Sequence, residues 1–300
     1  MREKLEFYNI NDAWITIANK LFIDGRDISN TKEINNVSFV LKDINNNVLT
    51  ARENFSLHYY LGEMIWYAAG DNSTKFISQF GKIWEKLSDD GITNNSAYGH
   101  IIKYANQFNQ LEKIIELLKN DPDSRRAVIN INSANVNVIE TKDEPCTIAL
   151  QFFVRDNKVH ATGIMRSNDI WTGTPYDIFY FTELQKYIAK ELGYEYGTYT
   201  HFVTSMHMYE RNFNQVNKSI DEYELNGTAI DVKIDGVKIM EMAPFLHQAI
   251  SSYIANVSSS PKSVKDFTKK LCIAFDIVEG KYNENWINWL WIYRKAKKTF

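Results

Sequence analysis

Glu144-Pro145-Cys146-Thr147 leads into the apolar run 148–154, and a second run, 158–165, returns across Asp156-Asn157 to deliver Arg166. Two apolar runs flanking a turn-forming pair predict adjacent strands. Cys146 and Arg166 then share one end of a sheet. A lone cysteine is usually a small buried hydrophobe, and only its thiolate is a useful nucleophile. A guanidinium beside a thiol lowers its pKa, which predicts thiolate at neutral pH. The same sheet end should receive the segments that follow, Met165-Arg166-Ser167-Asn168-Asp169 and Gly173-Thr174-Pro175-Tyr176-Asp177.

The 300 residues suffice for one large domain or two small ones. A net charge of −3 gives no electrostatic case for nucleic acid, so an anionic small substrate would need a local arginine cluster. The two cysteines, Cys146 and Cys272, have no disulfide-like spacing, which points to a reducing interior. Residues 1–7 lack the apolar core of a signal peptide, and no run reaches the length of a membrane span. The expectation is a cytoplasmic protein with no membrane or nucleic-acid partner.

Along the chain, helical spacing covers 11–22 behind Asp12 as a possible cap, and 37–41 reads as a short strand. Residues 57–69 form an apolar helix that carries Glu63 among Tyr59, Ile65, Trp66 and Tyr67. A carboxyl among aromatics is costly to ionise, so its pKa should rise toward the range useful for proton transfer. The competing reading is a glutamate on the exposed helix edge. Residues 101–119 read as one amphipathic helix ended by Asn120-Asp121-Pro122. Arg125-Arg126 precede a strand at 127–131, either as solvated charges or as a pair suited to bidentate phosphate binding.

Asp177 reads as the N-cap of a helix over 178–192 that stops at Gly193. The β-rich segment 198–208 ends in His207-Met208-Tyr209, whose alternation puts His207 and Tyr209 on one face. Residues 230–234 and 237–240 look like a hairpin around Asp235-Gly236. Helices should follow from 258 to about 279 and over 283–298, the latter carrying Trp286, Trp289 and Trp291.

Taken in order, Asp121-Pro-Asp-Ser-Arg-Arg126, Pro145-Cys146, Arg166-Ser167-Asn168-Asp169, Gly173-Thr-Pro-Tyr-Asp177 and His207-Met-Tyr209 resemble thymidylate synthase, and more closely its relative deoxycytidylate hydroxymethylase. Glu63-Met-Ile-Trp66, Gly70-Asp71, Trp84 and Ala97-Tyr98-Gly99 are weaker echoes, and the whole set spans roughly residues 55–215. The resemblance implies an α+β fold: a large mixed sheet with flanking helices over 1–245, and a helical C-terminal extension, 246–300, packed on the same domain.

It also implies roles. Cys146 would add to C6 of a pyrimidine ring, with Glu63 ordering water and shuttling protons and Tyr98 near the ring. Arg166 and Ser167 would bind nucleotide, and His207 and Tyr209 the sugar 3′-hydroxyl. Arg125 and Arg126 would complete the phosphate site of a partner subunit in a homodimer. Arg26 is the candidate for the family's mobile-loop phosphate arginine, although its flanking residues depart from the usual pattern. Trp84, Asp169, Gly173 and Tyr176 fall on the folate side. The implied cosubstrate is 5,10-methylenetetrahydrofolate, with no metal.

Position 177 bears on the base. Thymidylate synthases carry asparagine there, whose amide answers the N3–H and O4 of uracil. A carboxylate instead suits the 4-amino group of cytosine and an N3 that gains a proton as the C6 adduct forms. The expected reaction is therefore conversion of dCMP to 5-hydroxymethyl-dCMP. Alternatives are the same reaction on CMP, methyl transfer to dCMP, an atypical thymidylate synthase acting on dUMP, and a catalytically inactive nucleotide-binding relative. Thr147 and Met165 also stand where thymidylate synthases carry histidine and glutamine. The choice of water over hydride follows from the resemblance and from no single residue.

Overall fold

A computed structural model describes residues 5–105, 107–132, 140–227 and 232–280. The first part contains β1 (Leu5–Phe7), α1 (Ile10–Asp24), β2 (Arg26–Ile28), β3 (Thr31–Leu41), α2 (Leu57–Ala69), α3 (Thr74–Ile77), α4 (Ile83–Leu87), α5 (Tyr98–Lys103) and α6 (Gln110–Asn120). It is followed by β4 (Val128–Asn130), β5 (Thr147–Arg155), β6 (Lys158–Met165), β7 (Asn168–Asp169), α7 (Thr174–Leu192) and β8 (Glu195–Tyr209). The last described elements are α8 (Phe213–Asn226), β9 (Val232–Ile234), α9 (Gly236–Asn256), α10 (Pro261–Ala274) and β10 (Val278–Gly280).

The main sheet has the order β1-β3-β8-β6-β5-β4, with β2 added to β3 and β7 to β8. Pairing is parallel for β1–β3, β6–β8 and β7–β8 and antiparallel elsewhere, so the sheet is mixed, as expected. β5 and β6 form the hairpin read from the sequence. Asp156 and Asn157 close it at φ 51° and 61°, a left-handed pair that matches the twist of the strands.

One face of the sheet is dry. Val159, Ala161 and Met165 of β6 and Tyr199, His201 and Val203 of β8 are buried there. Their neighbours on the other face, Phe153, His160, Thr162, Ile164, Thr200 and Phe202, remain partly exposed. α2 lies within the core. Leu61, Met64, Ile65 and Trp66 are buried on successive sides of it, each contributing roughly 1.5–3 kcal/mol by leaving water. That all-round burial carries Glu63 inside and removes the exposed-edge reading.

Several expectations are corrected. Asn9, not Asp12, caps α1, its Oδ1 accepting from the Asp12 N–H at 2.8 Å. The short strand at 37–41 is the end of the longer β3. The helix expected over 101–119 is two helices: Gln107 takes a left-handed φ of 60°, and Asn109 caps α6 by accepting from the N–H groups of Leu111 and Glu112. No hairpin joins 230–234 to 237–240 among the described residues. β9 pairs with β10 instead, and Asp235 caps α9 through the Lys238 N–H at 2.9 Å. Buried Ile239, Ala243, Leu246, Ile250 and Ile254 recur at helical spacing, which outweighs the turn signal of Asp-Gly.

α10 ends at Ala274 because residues 278–280 are taken up by β10. The expected division at 245 falls inside α9, which packs on α2 and α7. His247 of α9 also bonds Asp71 beyond the end of α2, at 2.9 Å. The helix expected over 283–298 lies outside the described residues.

Candidate active site

Cys146 stands at the mouth of β5, and Arg166 directly follows β6, as the hairpin requires. The Arg166 N–H donates to the Cys146 carbonyl at 2.9 Å. Its guanidinium is held by the carbonyls of Pro145 and Glu144, both at 3.0 Å, and approaches Cys146 Sγ to 3.9 Å. The expected thiolate does not follow. Burial, reinforced by Asp177, Asp143 and Glu144, outweighs the opposing guanidinium and pushes the Cys146 thiol up to about 11. One cation cannot offset desolvation and three carboxylates, so the ligand-free thiol is protonated at neutral pH.

Asp177 is not a helix cap. α7 begins a turn earlier than expected, with Gly173 as N-cap and Pro175 in its first turn. The Asp177 carboxylate, freed from the backbone, accepts from Asn168 Nδ2 at 2.8 Å. Although it retains some solvent contact, desolvation raises its pKa to about 7, against the opposing Asn168 bond. Gly173 leaves room for this pair: a Cβ there would lie 2.8 Å from Asn168 Nδ2 and 3.2 Å from Asp177 Oδ2.

Glu63 faces the same space from α2. Burial first, then the charge of Asp177, raise its pKa to about 8, while a 2.8 Å bond from the Tyr59 hydroxyl opposes the shift. Trp84 donates to that same hydroxyl at 2.9 Å. Tyr98 stacks on Tyr67 with centroids 5.3 Å apart. Its phenol is pushed well above the usual value by burial, then by the charges of Asp177 and Cys146, against an opposing bond with Thr147.

Flat aromatic rings wall the approach to Glu63. Tyr59 lies 4.3 Å from Tyr176, and Tyr60 4.7 Å, centroid to centroid. Arg52 covers the outer end, 4.8 Å from the Trp171 ring and bonded to the Tyr176 hydroxyl at 3.1 Å. The Tyr59 and Tyr60 rings tilt against Tyr176 at 51° and 60°. The Asp169 carboxylate accepts from the Trp171 N–H at 2.9 Å and from the Thr172 hydroxyl.

Ser167, His207 and Tyr209 cluster at the same end of the sheet. Ser167 Oγ is 3.4 Å from His207 Nδ1, and the His207 and Tyr209 rings meet edge to face at 5.2 Å. Arg26 is exposed on β2, in a register line that runs Arg26, Glu33, His207, Asp169 across four strands. Two strand spacings separate Arg26 from His207, roughly 10 Å. Arg125 and Arg126 are elsewhere. Ala127 accepts from the Phe152 N–H, so the pair lies beside the far end of β5, roughly 20 Å from Cys146 at 3.3 Å per residue. Both are exposed, and the Arg126 guanidinium bonds Asp121 and Ser124 Oγ, each at 3.4 Å.

Arg52, Tyr59, Asn168, Tyr199 and His201 join the site or its support without having been assigned a role from sequence. Asn168 lay within a quoted motif, but its partner could not be read without the start of α7. Arg52 falls in an irregular segment with no periodicity to give it away. Among the described residues, no group of three or more His, Cys, Asp or Glu is placed to hold a metal ion. No described helix is long and apolar enough to cross a membrane.

The family model described as thymidylate synthase matches residues 20–255. The chain belongs to the thymidylate synthase family. Among curated relatives of this thymidylate synthase family member, a deoxyuridylate hydroxymethyltransferase of Bacillus phage SP01 is 30% identical over 223 residues, 69% of this chain and 55% of the relative. One of the same name from Pseudomonas phage M6 is 32% identical over 163 residues, 53% of this chain and 46% of the relative. The chain thus spans about half the length of the curated relatives it matches. In fold it is similar to thermostable thymidylate synthase A from Bacillus subtilis, with a TM-score of 0.60 at 21% identity over 71% of this chain and 84% of that one.

Proposed function

We propose that this protein transfers a one-carbon unit from 5,10-methylenetetrahydrofolate to C5 of a pyrimidine nucleoside 5′-monophosphate, yielding the 5-hydroxymethyl nucleotide, with dCMP as substrate. Asp177 carries the choice of base. Its carboxylate is not engaged in capping a helix, it faces the same space as Cys146 and Glu63, and a neighbouring amide holds it. An acid at this edge answers cytosine with one acceptor for the 4-amino group and one proton shared with N3.

The chemistry starts with loss of the Cys146 proton to solvent, with the Arg166 guanidinium stabilising the thiolate that remains. The sulfur then bonds to C6 as the C5–C6 π pair shifts to C5, making that carbon nucleophilic. Bound methylenetetrahydrofolate would supply the electrophilic carbon. Tyr59, Tyr176 and Trp84 would line the side that holds its ring, with Asp169 at the edge. Glu63, whose pKa is raised to about 8, would take the C5 proton in its ionised form once the new carbon bond forms. Tetrahydrofolate would leave as the methylene–nitrogen bond breaks, water would add to the exocyclic methylene, and the Cys146 sulfur would leave C6. Completion by water agrees with the names of the two phage relatives.

The partner subunit enters through the arginines. Arg125 and Arg126 stand too far from their own Cys146 to bind the same nucleotide, whereas the partly exposed sheet face offers a surface for a second copy. A homodimer in which each subunit lends this pair to its neighbour accounts for both. Arg26, at the His207 end, is the candidate phosphate ligand from the subunit's own chain.

A second reading is dUMP as substrate. The relatives' names favour it, and a protonated Asp177 offers uracil a donor and an acceptor much as asparagine does. Incubation with methylenetetrahydrofolate and dCMP, CMP or dUMP, with mass spectrometry of the nucleotide, tests both. A hydroxymethyl gain on dCMP is expected. Gain on dUMP alone overturns the cytidylate assignment, and a methyl gain overturns completion by water. Nucleotide binding without tritium release from any 5-³H substrate would mean an inactive relative.

A further inference from the structure

Behind Asp177 runs a buried line of hydrogen bonds. Asn168 Nδ2 donates to Asp177 Oδ2, while Asn168 Oδ1 accepts from Thr174 Oγ1 at 2.7 Å and faces His201 Nε2 at 3.0 Å. His201 Nδ1 in turn meets the Tyr199 hydroxyl at 2.8 Å. Asn168, Thr174, Tyr199 and His201 are each no more than 1% exposed. Gly163, paired with His201 across β6–β8, makes the room: a Cβ there would lie 2.3 Å from the Tyr199 hydroxyl.

With Asn168 Nδ2 facing Asp177, the directions of the other bonds follow. Burial lowers the His201 pKa to about 3, so its ring is neutral with one N–H. Asn168 Oδ1 only accepts, which puts that hydrogen on Nε2 and makes Nδ1 accept from the Tyr199 O–H. Turning the Asn168 amide over would set its oxygen against Asp177 Oδ2 at the same 2.8 Å. The histidine tautomer and the amide orientation are therefore coupled: the Nε2–H form goes with Nδ2 facing Asp177.

Resting on the functional reading above, we propose that Tyr199 and His201 are positioning residues for base selection. They hold the Asn168 amide so that Asp177 Oδ2 is always an acceptor and any proton on the acid sits on Oδ1. A carboxylic acid with its proton on one oxygen matches cytosine when that oxygen meets N3. With the proton on the other oxygen it matches uracil, because the donor then faces O4. The line from Tyr199 to Asn168 removes this ambiguity, without any of its members but Asp177 touching the base.

The test compares wild type with His201→Leu, His201→Gln and Tyr199→Phe by calorimetric binding of dCMP and dUMP and by tritium release from both. The wild type should show a clear preference between the bases. His201→Leu should lower that preference by about tenfold or more toward parity, the scale of one charge-assisted bond, while His201→Gln, which keeps a donor near Nε2, retains it. If His201→Leu fails to fold, Tyr199→Phe carries the test, and a reduced preference supports the proposal. A folded His201→Leu or Tyr199→Phe protein with unchanged preference overturns it, as does a wild type that binds both bases equally.

Nitrogen-15 NMR of the histidines gives a readout that does not depend on turnover. His201 should be the Nε2–H tautomer throughout the neutral range, and an Nδ1–H tautomer overturns the proposal. Absence of tritium release with base preference intact would remove the catalytic reading while leaving this inference standing.

Discussion

Arg166 Nη2 lies 3.9 Å from Cys146 Sγ, yet burial and nearby carboxylates leave that thiol at about 11. Alkylation of the ligand-free protein should therefore be slow at pH 7 and accelerate about tenfold per pH unit toward pH 10. Arg166→Gln should slow it further, since the guanidinium opposes the rise in the thiol's pKa. Cys146→Ser should abolish C5 proton exchange. A reaction with iodoacetamide that is already fast and flat from pH 6 to 8 would show a thiolate present before substrate arrives.

The acid form of Asp177 bears on binding. With a pKa of about 7, it holds its proton below neutrality and loses it above. Pairing to N3 of neutral cytosine needs that proton, so dCMP affinity should fall as pH rises from 7 to 9. Asp177→Asn should remove this dependence and shift preference toward dUMP. The shift could reach several orders of magnitude, about 10⁴ where a site's polar groups are left unpaired. Calorimetric titration of both nucleotides at three pH values reads both effects, and an unchanged base preference would reduce Asp177 to a structural carboxyl.

Much of the frame was legible because it is local. The β5–β6 hairpin follows from two apolar runs and a turn pair, and α2 from an unbroken apolar segment whose bounds matched at both ends. The grouping of the candidate site was legible where motif and sheet end coincide, at Cys146, Arg166, His207 and Tyr209. What stayed hidden depends on distant partners. Asp235-Gly236 has the chemistry of a turn and of a cap alike, and only the apolar stripe of α9 decides. The thiol's pKa depends first on its burial and then on the charge of Asp177, thirty-one residues away, neither of which the local stretch reveals. His201 and Tyr199 alternate on β8 like any core pair, and the bond from His201 to Asn168 crosses more than thirty residues of chain.

Glu63 gives a stability signature. Its folded pKa, about 8, lies above the ordinary 4.5, so the native state holds a proton that the unfolded chain releases. Such a group stabilises fully below about pH 4.5, and that contribution is lost as pH rises through 8. Glu63→Gln should then gain on the wild type across this window, by on the order of a few kcal/mol at pH 8.5. Urea midpoints at pH 5, 7 and 8.5 measure it. Parallel curves for the two proteins would mean that Glu63 is ionised in the native state.

The arginine pair predicts complementation between two inactive proteins. Cys146→Ser lacks the nucleophile, and Arg125→Ala/Arg126→Ala lacks the phosphate ligands it would lend. If the roughly 20 Å between Cys146 and the pair is bridged only across a two-fold interface, a mixed dimer contains one site with both defects and one with neither. Random mixing makes half the dimers mixed, so activity should return to about a quarter of the wild-type level. Tritium release measured after co-refolding equal amounts reads this directly. No recovery from a mixture shown by mass spectrometry to contain mixed dimers would place the arginines and the cysteine in the service of the same subunit, or the arginines outside the site altogether.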